Sequence, residues 1–505
     1  MDRRIRVLAV FLGVCFLVLA AQLSNLQIRQ AAALRKSPYE PHAVQDAFAG
    51  DRGEILSADG YVLAKSVLTK NGYQRIYPQG SLFADITGYV NVVNSNISTG
   101  LEAEYGNPLG TSAKSQYLLM HEYPGHGLSG LLTQRKGTDS ITITVSRRLQ
   151  LVARQALGSL RGALVAIDPR NGDILAMYSS PSFNPNKLAS LNPKTVTAYY
   201  KSLDPASGSS PLVNTATQEP SAPGSTFKII TSSAIFNHRP SIASQYWKPV
   251  SGVALPNTTA VLHNYASEVC GGTLAQVFAQ SCDSAFGLIG LELGRHNLAS
   301  EANAFGLNRP PPIDLPADQV SPGYFPPASH FSAQDPFLAY SAIGQANVAE
   351  TPLEDVLVAA TIADGGTTMT PHLLSRVIDN EGNIVATYHP HAWLHPDPPS
   401  TAAAVHQLML GVTRDPNGTA YGVFPSSLEV AAKTGTAQAG LTGCSNNWLV
   451  AFAPAGPGQT PSVAVAGFVP YQPGLSCSAT GAGVAGPRVA QLLEAALAQQ
   501  AAAKP

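Results

Sequence analysis

Gly162-Ala163-Leu164-Val165-Ala166-Ile167-Asp168-Pro169-Arg170-Asn171-Gly172-Asp173-Ile174-Leu175-Ala176-Met177 is the stretch that decides the fold. Two almost wholly apolar runs flank a cluster of turn-forming residues, which reads as strand, turn, strand. A sheet face left in water would alternate polar and apolar side chains. Uniform apolarity therefore predicts a central hairpin in a sheet covered on both faces. Working upstream, Ser140–Val145 alternates and predicts a strand, and Ser146 then caps a helix running through Gln155 and Leu157. Asp59-Gly60 sits between two short apolar runs and predicts a β-hairpin, and Gly100-Leu101-Glu102 opens a short helix. Downstream, helical pattern dominates from Ser225 to about Leu293 and again from Pro352 to Ala363. Strands return near Val430, at Trp448–Phe452 and at Val463–Val469, before a final helix from about Val489. Helices lying between an N-terminal hairpin and C-terminal strands predict an α+β fold, an α/β sandwich whose sheet is flanked by helices.

The chain of 505 residues is too long for one typical domain. Hydrophobic residues make up 45% and charged ones 12%, with a formal net charge of -1, so a large core can form. There is no basic excess to attract nucleic acid and no acidic excess to favour disorder. After Arg3, Arg4 and Arg6 no charge occurs from Val7 through Ile28, a run of about 33 Å as a helix at roughly 1.5 Å per residue. That length crosses a bilayer, and the arginines predict a cytoplasmic N-terminus with the bulk of the chain outside. A cleaved signal peptide is the competing reading, because small residues follow at Ala31-Ala32-Ala33. The expected organisation is a cytoplasmic 1–6, a transmembrane anchor 7–28, a β-rich pedestal 29–150, a catalytic domain 151–490 and an Ala/Gln-rich tail 491–505.

Of five cysteines, Cys15 falls in the anchor as an apolar residue. Cys270, Cys282, Cys444 and Cys477 allow three pairings in an oxidising compartment. Nearness in sequence favours Cys270–Cys282 and Cys444–Cys477, and four free buried thiols are the alternative. No Cys-x-x-Cys occurs. His121-Glu122-Tyr123-Pro124-Gly125-His126 lacks the spacing of a zinc helix and contains Pro and Gly, so neither metal nor cofactor is expected.

Three short motifs carry the chemistry. In Ser225-Thr226-Phe227-Lys228, a hydroxyl and an amine three residues apart share one face if the segment is helical. A lysine kept neutral can take the serine proton and make it a nucleophile. Pro223-Gly224 just before it puts the serine at a helix start, where free N–H groups favour negative charge. Ser281-Cys282-Asp283 supplies a second hydroxyl to relay protons. Lys433-Thr434-Gly435, followed by Thr436, offers a positive charge and two hydroxyls to a substrate carboxylate, and Gly435 leaves room for a backbone to approach. The amides of Ser225 and Thr436 are candidates for an oxyanion hole. Each motif alone is chance-prone; Ser281-Cys282-Asp283 alone reads as a helix start and Lys433-Thr434-Gly435 alone as a strand end.

Together and in this order the three motifs resemble the signature of class A β-lactamases and penicillin-binding proteins. The Gly162–Met177 hairpin, Pro223–Lys228, Ile343-Gly344-Gln345 with Thr351-Pro352-Leu353, and Asn446-Asn447-Trp448-Leu449 resemble the penicillin-binding transpeptidases. Arg52-Gly53 with Asp59-Gly60 resembles the N-terminal segment of their class B members. The likeness spans about residues 50 to 490 and is greatest to short class B enzymes of the penicillin-binding protein A type.

That resemblance implies a penicillin-binding transpeptidase/serine β-lactamase-like sheet flanked by helices, above an N-terminal pedestal or dimerisation-like domain. It implies a D,D-transpeptidase that cross-links peptidoglycan stem peptides through a Ser225 acyl-enzyme and is acylated by β-lactams. Lys228, Ser281, Asp283 and Lys433 would be catalytic, and Thr434, Gly435 and Thr436 would bind substrate. A membrane glycosyltransferase of the shape, elongation and division family is the implied partner, with a role in growth or division. The alternatives are a serine β-lactamase or β-lactam sensor and a catalytically silent cell-wall scaffold. No Glu-x-x-x-Asn lies between Asp283 and Lys433 to hold a deacylating water. One residue departs from the family pattern, since the second motif usually ends in Asn. An ionised Asp283 only accepts hydrogen bonds, and beside Lys228 it would favour the protonated, non-basic lysine unless it is itself protonated or balanced by Lys433.

Overall fold

The computed structural model describes residues 3–24, 51–106 apart from 71, 92 and 94–96, 138–332, 335–439 and 443–502. Helix α1 (Arg3–Ser24) carries exposed Phe11, Phe16, Leu17 and Val18. Among the described residues no helix is long and apolar enough to cross a membrane, and the uncharged run to Ile28 continues past the described end of α1. The histidines at 121 and 126 also fall outside the described residues.

Strands β1 (Ile55–Leu56) and β2 (Val62–Thr69) pair antiparallel around Gly60, whose φ of 81° suits the left-handed turn read from Asp59-Gly60. Strand β3 (Gly72–Ile76) follows, then β4 (Ser140–Ile143) and α2 (Arg147–Leu157). The Ser146 hydroxyl accepts from the Leu149 amide, the expected cap, and Asp59 reaches across from the hairpin turn to accept from the Arg147 amide at 2.9 Å. Strands β5 (Gly162–Ile167) and β6 (Ile174–Ser180) form the hairpin that opens the main sheet.

The helical middle comprises α3 (Lys228–His238), α4 (Leu274–Ala279), α5 (Asp283–Ala304) and α6 (Pro352–Ala363). Within the stretch where helical pattern was read as dominant, Trp247–Val250, Gly252–Ala254, Val261–His263 and Cys270–Gly272 are short strands. Pro249, Gly252, Gly271 and Gly272 disfavour helix there. Strands β7 (Leu374–Ile378) and β8 (Ile384–Thr387), helix α7 (Pro399–Arg414), strands β9 (Ala431–Ala439), β10 (Cys444–Ala453) and β11 (Val463–Val469), and helix α8 (Gly481–Ala502) complete the chain. Helix α8 starts ahead of the predicted Val489 and carries Pro487 inside it. Pro487 lies past the first turn, so it removes one internal i→i−4 hydrogen bond.

Two sheets organise the molecule. The first has order β8-β7-β4-β1-β2-β3, so a hairpin late in the chain completes the N-terminal sheet. The second has order β9-β10-β11-β5-β6. The decisive hairpin is thus at one end of the sheet, not its centre. Its apolarity reflects coverage: β5 is buried at every residue, with α6 against it, and α2 packs on β6. The outer edge of β6 is closed by the segment after β4, through Ser146 N–H to Leu175 O at 3.1 Å. Helix α8 covers β10 and β11, while β9 forms the other edge, left free for the site.

Candidate active site

Pro223 precedes a single 3-10 turn, Gly224–Phe227, which runs directly into α3. The serine therefore sits at a helix start, as read, with tighter local geometry. The turn is clamped between two neighbours. The Gly224 amide donates to Gly344 O at 2.9 Å, and a Cβ on Gly344, whose φ is 70°, would meet Gly224 O at 2.1 Å. On the other side a Cβ on Gly435 would lie 2.4 Å from Pro223 O and 2.8 Å from the Trp448 Cβ. Sequence reading reserved the space at Gly435 for substrate; it is the nucleophile turn that occupies it. Ile343-Gly344-Gln345, noted only by resemblance, acquires the same packing role.

Lys228 is the first residue of α3 and is completely buried. Its Nζ donates to Asp283 Oδ1 at 2.7 Å, to Ser281 O at 2.7 Å and to Ser281 Oγ at 3.3 Å. It also lies 5.2 Å from the Phe286 ring centroid. The Ser225 hydroxyl has no hydrogen-bond partner among the described residues, so the lysine is turned toward the second motif rather than toward the nucleophile. Ser281 occupies the turn between α4 and α5 with a φ of 59°, a left-handed conformation costly for a residue with a Cβ. Cys282 precedes α5, and Asp283 is its first residue.

Lys433 enters from β9, also fully buried, and donates to Ser281 Oγ at 2.8 Å and to Thr434 O at 3.1 Å. Thr434 Oγ1 lies 2.6 Å from Thr419 Oγ1, and Thr436 Oγ1 accepts from the Gly481 amide at the start of α8 at 3.2 Å. One hydroxyl, Ser281, thus contacts both lysine amines. Burial pushes Lys228 down from its ordinary value, against the Asp283 carboxylate, which holds it up. Burial and the neighbouring Lys228 push Lys433 well below its ordinary value, with Asp283 opposing. Asp283 is therefore adjacent to Lys228, the arrangement that makes the departure from Asn matter.

Ser225, Ser281, Asp283, Thr434, Thr436 and Thr480 line one cleft of about 220 Å³. Every residue read as a site from sequence falls in or beside this cleft. Sequence reasoning missed Thr419, Thr480 and the segment Asn264–Glu268, which also contribute to the wall. No motif marks them. Cys270 and Cys282 were the one available pointer, since they are disulfide-bonded, as are Cys444 and Cys477.

Residues 162–494 match the family model of the penicillin binding protein transpeptidase domain, and residues 52–122 match the penicillin binding protein A dimerisation domain. The chain is 33% identical over 516 residues to the peptidoglycan D,D-transpeptidase PbpA of Mycobacterium tuberculosis, covering 98% of this chain and 99% of that one. It is 34% identical to the PbpA of Mycolicibacterium smegmatis over the same share of both chains. Among solved structures, the ceftriaxone acyl-enzyme complex of penicillin-binding protein A from M. tuberculosis aligns with a TM-score of 0.77 at 32% identity, covering 90% of this chain and 100% of that one.

Proposed function

The chain belongs to the penicillin-binding protein transpeptidases and is a serine-type peptidoglycan D,D-transpeptidase and β-lactam target; we propose that Ser225 is its acylated residue and that it works from a membrane anchor. The observation that carries the assignment of roles is the bonded set Lys228, Ser281, Asp283 and Lys433, of which Ser281 and Asp283 line the cleft that holds Ser225 and the two buried lysines lie behind them. In the acylation step Ser225 Oγ attacks the carbonyl of a D-Ala–D-Ala bond, and its proton passes to neutral Lys228. The tetrahedral oxygen is held by the Ser225 and Thr436 amides. The C–N bond then breaks as the leaving amine takes a proton through Ser281, releasing D-Ala and leaving an ester on Ser225. An amine of a neighbouring stem peptide attacks the ester and loses a proton to the same relay; the bond from the carbonyl carbon to Ser225 Oγ breaks, the serine oxygen takes that proton back, and the cross-link is formed. Lys433, Thr434 and Thr436 hold the terminal carboxylate.

The anchor rests on the uncharged Val7–Ile28 run behind three arginines and on the exposed apolar side chains of α1. It gives a single-pass protein with a cytoplasmic N-terminus and an extracytoplasmic catalytic domain. Two disulfides agree with an oxidising compartment. A membrane glycosyltransferase of the shape, elongation and division family is the proposed partner.

Mass spectrometry of the purified protein after penicillin treatment tests the assignment. A stable adduct mapped to Ser225, absent from Ser225→Ala, is expected. Rapid penicillin turnover without an adduct would instead make the chain a lactamase, and neither adduct nor turnover would leave a scaffold.

A further inference from the structure

Two carboxylates line the cleft, and they are engaged differently. Asp283 is bonded to Lys228, whereas the exposed side chain of Glu268 makes no hydrogen bond or ion pair among the described residues. Glu268 closes a loop between the strands Val261–His263 and Cys270–Gly272. Within that loop Ala266 and Ser267 have φ values of 49° and 56°, left-handed conformations that residues with a Cβ adopt at a cost. Such strain persists only where the surroundings over-determine it.

Three tethers do so here. Asn264, itself buried, donates through Nδ2 to Val250 O at 2.7 Å and to Glu268 O at 2.9 Å. Its Oδ1 accepts at 2.8 Å from the amide of Ser284, the residue after Asp283. Cys270 is bonded to Cys282, between the two side chains of the second motif. On the far side the Tyr265 hydroxyl donates to Ser478 O at 2.6 Å, just ahead of Thr480 in the cleft wall. The backbone that carries Glu268 is thus fixed relative to both Ser281 and the start of α8. A rim glutamate with no partner needs none of this. A carboxylate built to receive a cation does.

We propose that Glu268 captures an ammonium group of a stem peptide at the mouth of the cleft. The proposal rests on the transpeptidase reading given above. The charged lining available to a ligand is then this carboxylate, since Asp283 is engaged, and the ring of Tyr265 beside it offers a face that also favours cations. The ammonium has two sources. It can be the side-chain amine of a diamino residue in the donor peptide, or the amine of the acceptor peptide before it gives up its proton and attacks the ester.

The full-length protein in detergent separates these sources. In the donor arm, acylation efficiency is compared between lysine-bearing pentapeptides ending in D-Ala–D-Ala whose side-chain amine is free or acetylated. In the acceptor arm, the acyl-enzyme partitions between aminolysis by a lysine-bearing peptide and hydrolysis. The wild type is expected to favour the free amine in one arm. Glu268→Gln reduces that preference about tenfold, and Glu268→Asp restores part of it. The arm that responds identifies the source. Equal preference in wild type and Glu268→Gln in both arms overturns the proposal. Labelling of wild-type Ser225 by fluorescent penicillin is read in parallel. Its failure sinks the transpeptidase reading itself, whereas labelling with no amine preference sinks only the role of Glu268.

Discussion

Replacing Asp283 by Asn should make the site a faster acylator near neutral pH. Lys228 can take the Ser225 proton only when it is neutral, and the Asp283 carboxylate 2.7 Å away stabilises its charged form. A hydrogen bond to a charged group contributes about 1.5–3 kcal/mol, and an ionised partner roughly doubles what a neutral one would give. Asn keeps an acceptor oxygen and loses the charge, so about half of that, roughly 0.8–1.5 kcal/mol, is removed from the protonated lysine. At about 1.4 kcal/mol per decade this raises the neutral population roughly four- to twelvefold.

The sign follows from the direction of the lysine shift. Burial lowers Lys228 and Asp283 opposes it, so the variant deprotonates at lower pH than the wild type. The gain is therefore largest on the acid limb of the rate profile and vanishes at alkaline pH, where both lysines are already neutral. Lys433 also feels Asp283, and its loss of charge would weaken carboxylate binding, so the readout must be the saturated acylation rate. Stopped-flow fluorescence with a fluorescent penicillin across pH 5.5–10 measures it. A profile for Asp283→Asn that superimposes on the wild type, or lies below it at every pH, refutes the reasoning and makes Asp283 indispensable for positioning.

Two further outcomes concern stability. Glu102 is fully buried between Arg52 and Arg75, with Arg75 itself nearly inaccessible, so Glu102→Ala strands a buried cation and should cost about 3–5 kcal/mol in urea denaturation, against near zero for a solvated pair. Burial pushes Glu301 up to about 8, with the Asp397 carboxylate adding to it, so the folded state holds a proton that the unfolded chain releases above about 4.5. That contribution is full below the lower value and is lost as pH rises toward the upper one, so Glu301→Gln should gain on the wild type across that window; denaturation curves at pH 5 and pH 8.5 with the same difference between the two proteins would contradict this.

Much of the site was legible because its chemistry is local. Ser225 and Lys228 lie one helical turn apart, and Thr434 and Thr436 follow Lys433 along one strand. The secondary structure around them was legible for the same reason: Ser146 caps α2 and α6 spans Pro352–Ala363 as the pattern has them. What failed was pairing over long range. β7 joins β4 across more than half of the catalytic region, and nothing in Leu374–Ile378 specifies that neighbour. The Gly162 hairpin misled in a related way, because apolar runs report how well a strand is covered and not which strands lie beside it. The loop from Asn264 to Cys270 was invisible because its order comes from tertiary tethers. Its left-handed residues are Ala and Ser, which lack the left-handed preference that Gly, Asn and Asp signal in sequence.

The departure at Asp283 was legible as a substitution, but its consequence depends on distances. Lys228 and Lys433 are both fully buried and meet at one hydroxyl, 3.3 Å and 2.8 Å from Ser281 Oγ. Two cations side by side in a medium of low polarisability are unfavourable, so one must lose its proton or an anion must join them. With Asn in the second motif only the first relief exists. Asp283 supplies the second, and it does so unevenly, since it bonds Lys228 directly and Lys433 not at all. The resting proton therefore belongs to the Lys228–Asp283 pair, and Lys433 is the amine driven furthest toward neutrality. An anionic peptide terminus arriving beside Lys433 shifts that balance toward a charged Lys433. A proton then moves from Lys228 to Ser281 as Ser281 gives its own to Lys433, along the two bonds already formed. The transfer raises the neutral fraction of Lys228 when a substrate is present while the Asp283 carboxylate still opposes it, so the aspartate slows acylation without abolishing it.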